Sequence, residues 1–175
     1  MSGPAVSVIS TWRDTRQGRT AAVKVVRPDL VPTAAAQRHF IDAVGGLRGL
    51  SHPNIASLYD VGEEAGTVFL AIEWVKGVPL RSLVAGQPLK VRRAISFGAE
   101  LANALADAHA RDQLHGDITA DTILITSTAH AKLLDFGLAN WTPGGQLRRR
   151  AAQVAAVARR GGGACHCSRR GNAVD

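Results

Sequence analysis

The chain has 175 residues, of which 46% are hydrophobic and 20% charged, a size and composition typical of one globular domain with room for a tail. It contains no apolar run of 18 residues and no secretory signal, so we expect no membrane span and a cytoplasmic location. The net charge is +7, yet residues 1–147 carry 14 basic and 13 acidic side chains. Because this body is nearly neutral, we expect no specific nucleic-acid partner.

The last part of the chain differs in composition from the body. Residues 148–175 hold seven Arg and one Asp, and Ala and Gly make up much of the rest. Cys165, His166 and Cys167 are adjacent potential metal ligands, but a structural zinc site uses four ligands at looser spacing. We therefore predict that residues 147–175 form a disordered basic tail and that the three adjacent ligands are incidental.

The first half of the chain predicts strands around one helix. The β-branched runs at 5–10 and 20–26 indicate two strands joined by a polar connection at 11–19. Thr33 is placed to cap a helix over 34–50, whose glycines should weaken it by up to about 1 kcal/mol each. That helix would have Phe40, Val44 and Leu47 on one face, and two further strands follow at 55–61 and 67–75.

The second half predicts a long helix and a hairpin. Residues 91–110 have the most regular helical pattern, with Ala94, Leu101, Leu105 and Ala108 on one stripe. Short strands at 122–126 and 130–136 flank a three-residue turn. Since strands come first and helices later, the predicted class is α+β.

The open end of this second hairpin gathers carboxylates. Asp117 and Asp121 precede the first strand, and Asp135 ends the second. Such an edge suits a general base or a divalent cation, although Asp also commonly caps turns. Lys24 lies in an otherwise apolar strand, where it must reach solvent at an edge or meet an anion. Together these residues suggest a site for phosphate and metal.

Five segments, in this order, resemble the motifs of a protein kinase of the bacterial Ser/Thr type: AAVKVV, LSHPNIASLYDVGEE, VFLAIEWVKGVPL, LHGDITADTILI and KLLDFGLA. The resemblance covers residues 8–141. It implies a β-rich N-lobe, a helical C-lobe and ATP in the cleft between them. Residues 1–146 would then be a partial kinase domain, with the N-lobe at about 1–75 and the start of the C-lobe at 76–146.

The resemblance also implies a role for individual residues. Lys24 corresponds to the strand lysine that holds the ATP phosphates, Asp117 to the catalytic Asp that accepts the proton of the substrate hydroxyl, and Asp135 to the Mg²⁺ ligand. The resemblance implies four contacts with the adenine ring of ATP. The backbones of Glu73 and Val75 would meet the edge of the ring, and the side chains of Ala22 and Leu124 would cover its two faces.

Several positions depart from the family pattern. Gly3 stands where a glycine-rich loop is expected, but the spacing of that loop is missing. Ala43 replaces the helix Glu that would pair with Lys24, and Asp42 should point about 100° away. In the catalytic loop Thr119 replaces the Lys, and Thr122 occupies the Asn position, where a hydroxyl is a weaker metal contact.

Three functions are compatible with these residues. The chain could be an active protein Ser/Thr kinase with a protein substrate, or a pseudokinase that binds nucleotide or a protein partner without transfer. It could also be a small-molecule phosphotransferase of the aminoglycoside-kinase type, since the loops of those enzymes carry the same His-Gly-Asp sequence. The departures favour impaired transfer.

Overall fold

The computed structural model describes residues 6–14 and 18–141. The predictions for Gly3, for the basic tail and for the Cys-His-Cys cluster therefore lie outside the described residues. Two sheets and three helices make up the described part, which confirms the predicted α+β class with a β-rich N-lobe. The elements are β1 (Val6–Asp14), β2 (Arg19–Val26), α1 (Ala34–Gly45), β3 (Leu58–Glu64), β4 (Thr67–Glu73), β5 (Gly77–Pro79), α2 (Leu80–Val84), α3 (Val91–Ala110), β6 (Ile123–Thr126) and β7 (Ala131–Leu133).

The first sheet has the antiparallel order β1-β2-β4-β3. The strands β1 and β2 pair as far as Asp14 and Arg19, so most of the connection predicted at 11–19 is strand. On β2, Ala22, Lys24 and Val26 are all buried, because alternate residues of a strand face the same side. This alternation turns Lys24 into the interior of the molecule.

Helix α1 begins at the predicted cap and ends earlier than predicted. The Thr33 hydroxyl accepts a hydrogen bond from the Ala36 amide at 3.1 Å, as an N-cap residue does. The helix stops at Gly45, and residues 46–49 form a tighter 3₁₀ turn. The prediction of one helix over 34–50 was wrong in its last turn, where three glycines oppose an α-helix. Phe40, Val44 and Leu47 are buried as predicted.

Helix α3 has the predicted bounds, but its buried stripe is rotated from the predicted one. Phe97, Ala104 and Ala108 are buried, whereas Ala94 is exposed. Leu101 and Leu105 are half-buried against the same core. The large Phe97 ring determines which face turns inward, since it removes far more apolar surface from water than Ala94 would. Over the described residues, no helix has the length and apolar content needed to cross a membrane.

The second sheet, in the order β5-β6-β7, is joined to the first by the segment that precedes β3. The Leu133 amide donates to the Asn54 carbonyl and the Ala56 amide donates to the Leu133 carbonyl, both at 2.8 Å. The Asn54 side chain also donates to the Ala131 carbonyl at 2.7 Å, and Glu100 of α3 accepts from the Ala131 amide at 2.7 Å. One continuous core therefore underlies both sheets.

Candidate functional site

Lys24 in the first sheet meets an anion from the segment that follows the second sheet. Lys24 is 6% exposed. Its ammonium group forms an ion pair with the carboxylate of Asp135, which lies 111 residues further along the chain. On β2, Lys24 lies opposite Leu70 of the central strand β4. A buried ammonium group needs such a partner, because an uncompensated charge in the interior is costly. Of the two alternatives for Lys24, contact with an anion is the one observed.

Asp135 lies two residues after the end of β7, in a backbone conformation that few residues other than glycine adopt. Its φ is +58°, in the left-handed region that Asp tolerates better than most residues. Gly137 has a φ of +75°, and a Cβ there would lie 2.5 Å from the Leu47 side chain. The chain thus turns sharply on both sides of Phe136, and this turn directs the Asp135 carboxylate back toward Lys24.

The segment before β6 is tied to this turn through His115. This ring is 2% exposed, and its Nδ1 accepts a hydrogen bond from the Asp117 amide at 3.3 Å. Nε2 therefore carries the hydrogen and donates to the Leu134 carbonyl at 2.8 Å. The ring also packs edge-on against Phe136, at 5.0 Å between centroids. His115 thus links the backbone of Asp117 to the residues on either side of Asp135.

The loop from Asp117 to Thr122 is closed by its own threonines. The Thr122 hydroxyl accepts from the Thr119 amide at 2.9 Å and lies 3.2 Å from the Asp117 carbonyl and 3.1 Å from the Thr119 carbonyl. A hydroxyl has one hydrogen to donate, so these contacts leave it little capacity for another ligand. Thr122 therefore shapes the loop, which was not foreseen from the sequence.

Asp121 does not join the other carboxylates. Its side chain accepts a hydrogen bond of 2.6 Å from Arg81 of α2, on the exposed surface. This hydrogen bond lowers the pKa of the Asp121 carboxyl. Asp121 therefore pairs with Arg81 on the surface, whereas Asp135 pairs with the buried Lys24.

The four residues expected around an adenine lie on both sheets and in the link between them. Ala22 on β2 is buried, and Leu124 on β6 is half-buried. Glu73 ends β4, and Val75 lies two residues later in the segment that leads to the second sheet. The Glu73 amide donates to the Ser57 carbonyl at 2.8 Å, and the Trp74 amide donates to the Thr20 carbonyl at 3.3 Å.

The residues at this site fit a nucleotide with one divalent cation. Within the described ranges, no three His, Cys, Asp or Glu side chains are grouped closely enough to hold a metal ion alone. Mg²⁺, however, is commonly held by one or two carboxylates together with substrate phosphates. Asp135, whose side chain is 27% exposed, and the neighbouring Lys24 supply one carboxylate and one cation for such a ligand.

Comparison with known proteins identifies the family. The family model for the protein kinase domain matches residues 3–156 of this chain. The chain belongs to the protein kinase family. Serine/threonine-protein kinase PrkC of Bacillus subtilis is 34% identical over 122 residues, which are 69% of this chain and 19% of that protein. PknB of Mycobacterium tuberculosis is 34% identical over 139 residues, 77% of this chain and 22% of its own length. PknB of Mycobacterium leprae is 33% identical over 139 residues, which are again 77% of this chain and 22% of that protein.

These relatives confirm the predicted resemblance to bacterial Ser/Thr kinases. The chain spans about a fifth of the length of the curated relatives it matches. The sequence indicated Lys24, Asp117 and Asp135, but it did not indicate the role of His115 or the ion pair that the Glu73 side chain forms with Lys132. His115 does carry a signal, since it lies two residues before Asp117 in the His-Gly-Asp sequence. The roles assigned to individual residues remain predictions.

The ion pair predicts an asymmetric response to mutation. Asp135→Asn would leave the buried Lys24 ammonium without its anion, and we expect it to lower the free energy of unfolding by about 3 kcal/mol, at the low end for a buried pair because Asp135 is partly exposed. Lys24→Met removes the buried charge and keeps most of the side-chain volume, so its cost should be below about 1 kcal/mol. The double variant should resemble Lys24→Met. Urea unfolding would measure all three.

The exposed pair of Arg27 and Asp29 supplies the control for this series. Asp29→Asn should change the free energy of unfolding by less than about 0.5 kcal/mol, because exposed ion pairs contribute little. An equal loss in Lys24→Met and Asp135→Asn would contradict the view that the buried ammonium is the costly partner.

His115 predicts a loss of stability in mild acid. Burial lowers the pKa of this imidazole from its ordinary value of 6.5, although the Leu134 carbonyl opposes the shift. The unfolded chain therefore binds the proton more readily, so the contribution of His115 is full above about pH 6.5 and falls as the pH drops through the folded pKa. Urea unfolding at about pH 7.5 and about pH 5.5 would measure this difference.

The comparison needs a variant without the buried imidazole. His115→Gln keeps an acceptor for the Asp117 amide and a donor for the Leu134 carbonyl, so it should show a smaller loss between the two pH values. His109→Gln, at an exposed position at the end of α3, should lose as much as the unmodified chain. Equal losses in all three proteins would show that His115 does not control this pH dependence.

Proposed function

We propose that this chain is an ATP-binding domain of a protein Ser/Thr kinase whose capacity to transfer the γ-phosphate is strongly reduced. The observation that carries the proposal is the ion pair between Lys24 of the first sheet and Asp135, which follows the last strand of the second sheet; His115 ties this segment to the loop that holds Asp117. On this proposal residues 1–146 are a partial kinase domain, with about 1–75 as N-lobe and 76–146 as the start of the C-lobe.

Nucleotide binding is supported by the charges at the cleft. The ATP phosphates would take the place of Asp135 as the anion for Lys24, and Asp135 would become free to bind the cation. Mg²⁺, when bound, would neutralise charge on the phosphates. Ala22 and Leu124 would contact the two faces of the adenine, and the backbones of Glu73 and Val75 its edge. Asp117 would accept the proton of the attacking substrate hydroxyl.

Reduced transfer of the γ-phosphate is supported by three residues that differ from the family pattern, Thr122, Thr119 and Ala43. The Thr122 hydroxyl already contacts the Thr119 amide and the Asp117 carbonyl, so it is poorly available to a second metal contact. Thr119 brings no positive charge to the transferred phosphate. On α1, Ala43 provides no carboxylate for Lys24, so Asp135 is its partner. Each lost electrostatic contact can cost several kcal/mol in the transition state, and every 1.36 kcal/mol is tenfold in rate.

Restoring the family residues tests the proposal directly. The variant Ala43→Glu/Thr119→Lys/Thr122→Asn should transfer label from [γ-³²P]ATP with Mg²⁺ to a generic protein substrate at least about tenfold faster than the unmodified chain. Adding Asp117→Ala should abolish that gain. A matched control, Ala35→Glu/Thr67→Lys/Thr128→Asn, makes the same changes at exposed positions and should leave the rate unchanged.

The outcome also separates the proposal from its main alternative, a pseudokinase scaffold. Turnover of the unmodified chain in the range of about 1–100 s⁻¹, typical of kinases, would contradict reduced transfer. A restored variant that folds and binds ATP but shows no transfer dependent on Asp117 would favour the scaffold.

A further inference from the structure

The side chain of Glu73 joins the two sheets at the link between them. Its carboxylate forms an ion pair with Lys132 of β7, 59 residues further along the chain. Both side chains are partly buried, at 26% exposure for Glu73 and 14% for Lys132. The role predicted for Glu73 concerns only its backbone, so this contact adds a function for its side chain.

Glu73 is held in place on the side of the first sheet as well. Its second carboxylate oxygen accepts a hydrogen bond from the Ser57 amide at 3.1 Å, while its own amide donates to the Ser57 carbonyl at 2.8 Å. The amide of the next residue, Trp74, donates a hydrogen bond to the carbonyl of Thr20 in β2. With three such contacts, the end of β4 has little freedom to move relative to β2 and β3.

Lys132 carries this restraint to the second sheet. It lies directly opposite Leu124 in the antiparallel ladder of β6 and β7, so the two side chains share one face of the hairpin. In the first sheet, Ala22 lies opposite Ile72, the residue before Glu73. The ion pair therefore connects the strand next to Ala22 with the strand next to Leu124.

We propose that Glu73 and Lys132 are a positioning pair that sets the distance between the two surfaces that hold the adenine, Ala22 above and Leu124 below. This inference rests on the proposed nucleotide binding. The pair acts on the base and not on the phosphates, because Lys24 and Asp135 hold the phosphate end independently. An open cleft of about 430 Å³ is lined by both members of the pair and also by Tyr59, Trp74 and Lys76.

The test compares ligands that contain different parts of ATP. Calorimetric titration with adenosine, ATP and inorganic triphosphate would be carried out on Glu73→Gln, which keeps an acceptor for the Ser57 amide, and on Lys132→Gln. Both variants should bind adenosine and ATP about five- to tenfold more weakly, with the affinity for triphosphate unchanged. Lys24→Met should show the reverse pattern, losing affinity for triphosphate and keeping it for adenosine.

Further variants identify the effect as that of the pair. The double variant Glu73→Gln/Lys132→Gln should bind adenosine no more weakly than the poorer single variant, since each single change already breaks the contact. Lys132→Arg keeps the cation and should restore most of the affinity. Asp29→Asn, which breaks an exposed ion pair elsewhere on the first sheet, should have no effect.

Each failure has a distinct meaning. If Glu73→Gln binds adenosine as tightly as the unmodified chain, the positioning pair is wrong and nucleotide binding still stands. An equal loss for triphosphate would also overturn the inference, because it would indicate general loosening of the fold. If the unmodified chain binds neither ATP nor adenosine, the proposed function is wrong and the inference fails with it.

Discussion

The burial of one ammonium group constrains the candidate site more than any other feature. Lys24 faces the interior because its strand is buried on that side, and it cannot remain there without an anion. The anion comes from Asp135, which reaches Lys24 only because the chain turns sharply from Asp135 to Gly137. Two contacts hold this turn in position: His115 donates a hydrogen bond to the Leu134 carbonyl, and the Leu47 side chain packs against Gly137. A single ion pair thus couples the two sheets, the turn after β7 and the loop that holds Asp117.

This coupling also explains how the absence of the helix carboxylate is tolerated. Ala43 leaves Lys24 without a partner from α1, and Asp135 takes over that role. If Lys24 binds the phosphates and Asp135 binds Mg²⁺ as we propose, each residue would exchange its present partner for the ligand. A nucleotide with Mg²⁺ makes that exchange close to neutral in charge, because it brings an anion for Lys24 and a cation for Asp135. The proposed adenine contacts would be separate from this exchange, because the ion pair of Glu73 and Lys132 that we propose to position them lies at the link between the sheets.

The family, the class of fold and most elements could be predicted from the sequence, because they depend on local patterns and ordered motifs. Helix α3 has the predicted bounds, whereas α1 ends early where glycines outweigh its apolar pattern. The sequence could not show which partner Lys24 would choose, because contacts between residues 111 positions apart depend on the complete fold. For the same reason the loop-closing hydroxyl of Thr122 and the pairing of Glu73 with Lys132 emerge only in three dimensions.

The most direct test of this account is a thermal melt of the chain with and without ATP, each with and without Mg²⁺. Ligand at about a hundred times its dissociation constant should stabilise the folded chain by about 2.7 kcal/mol. If Lys24 and Asp135 exchange partners as described, ATP will raise the melting temperature, Mg²⁺ will raise it further, and Asp135→Asn will lose only the second increment. A cooperative melt that ATP and Mg²⁺ leave unchanged would contradict the account.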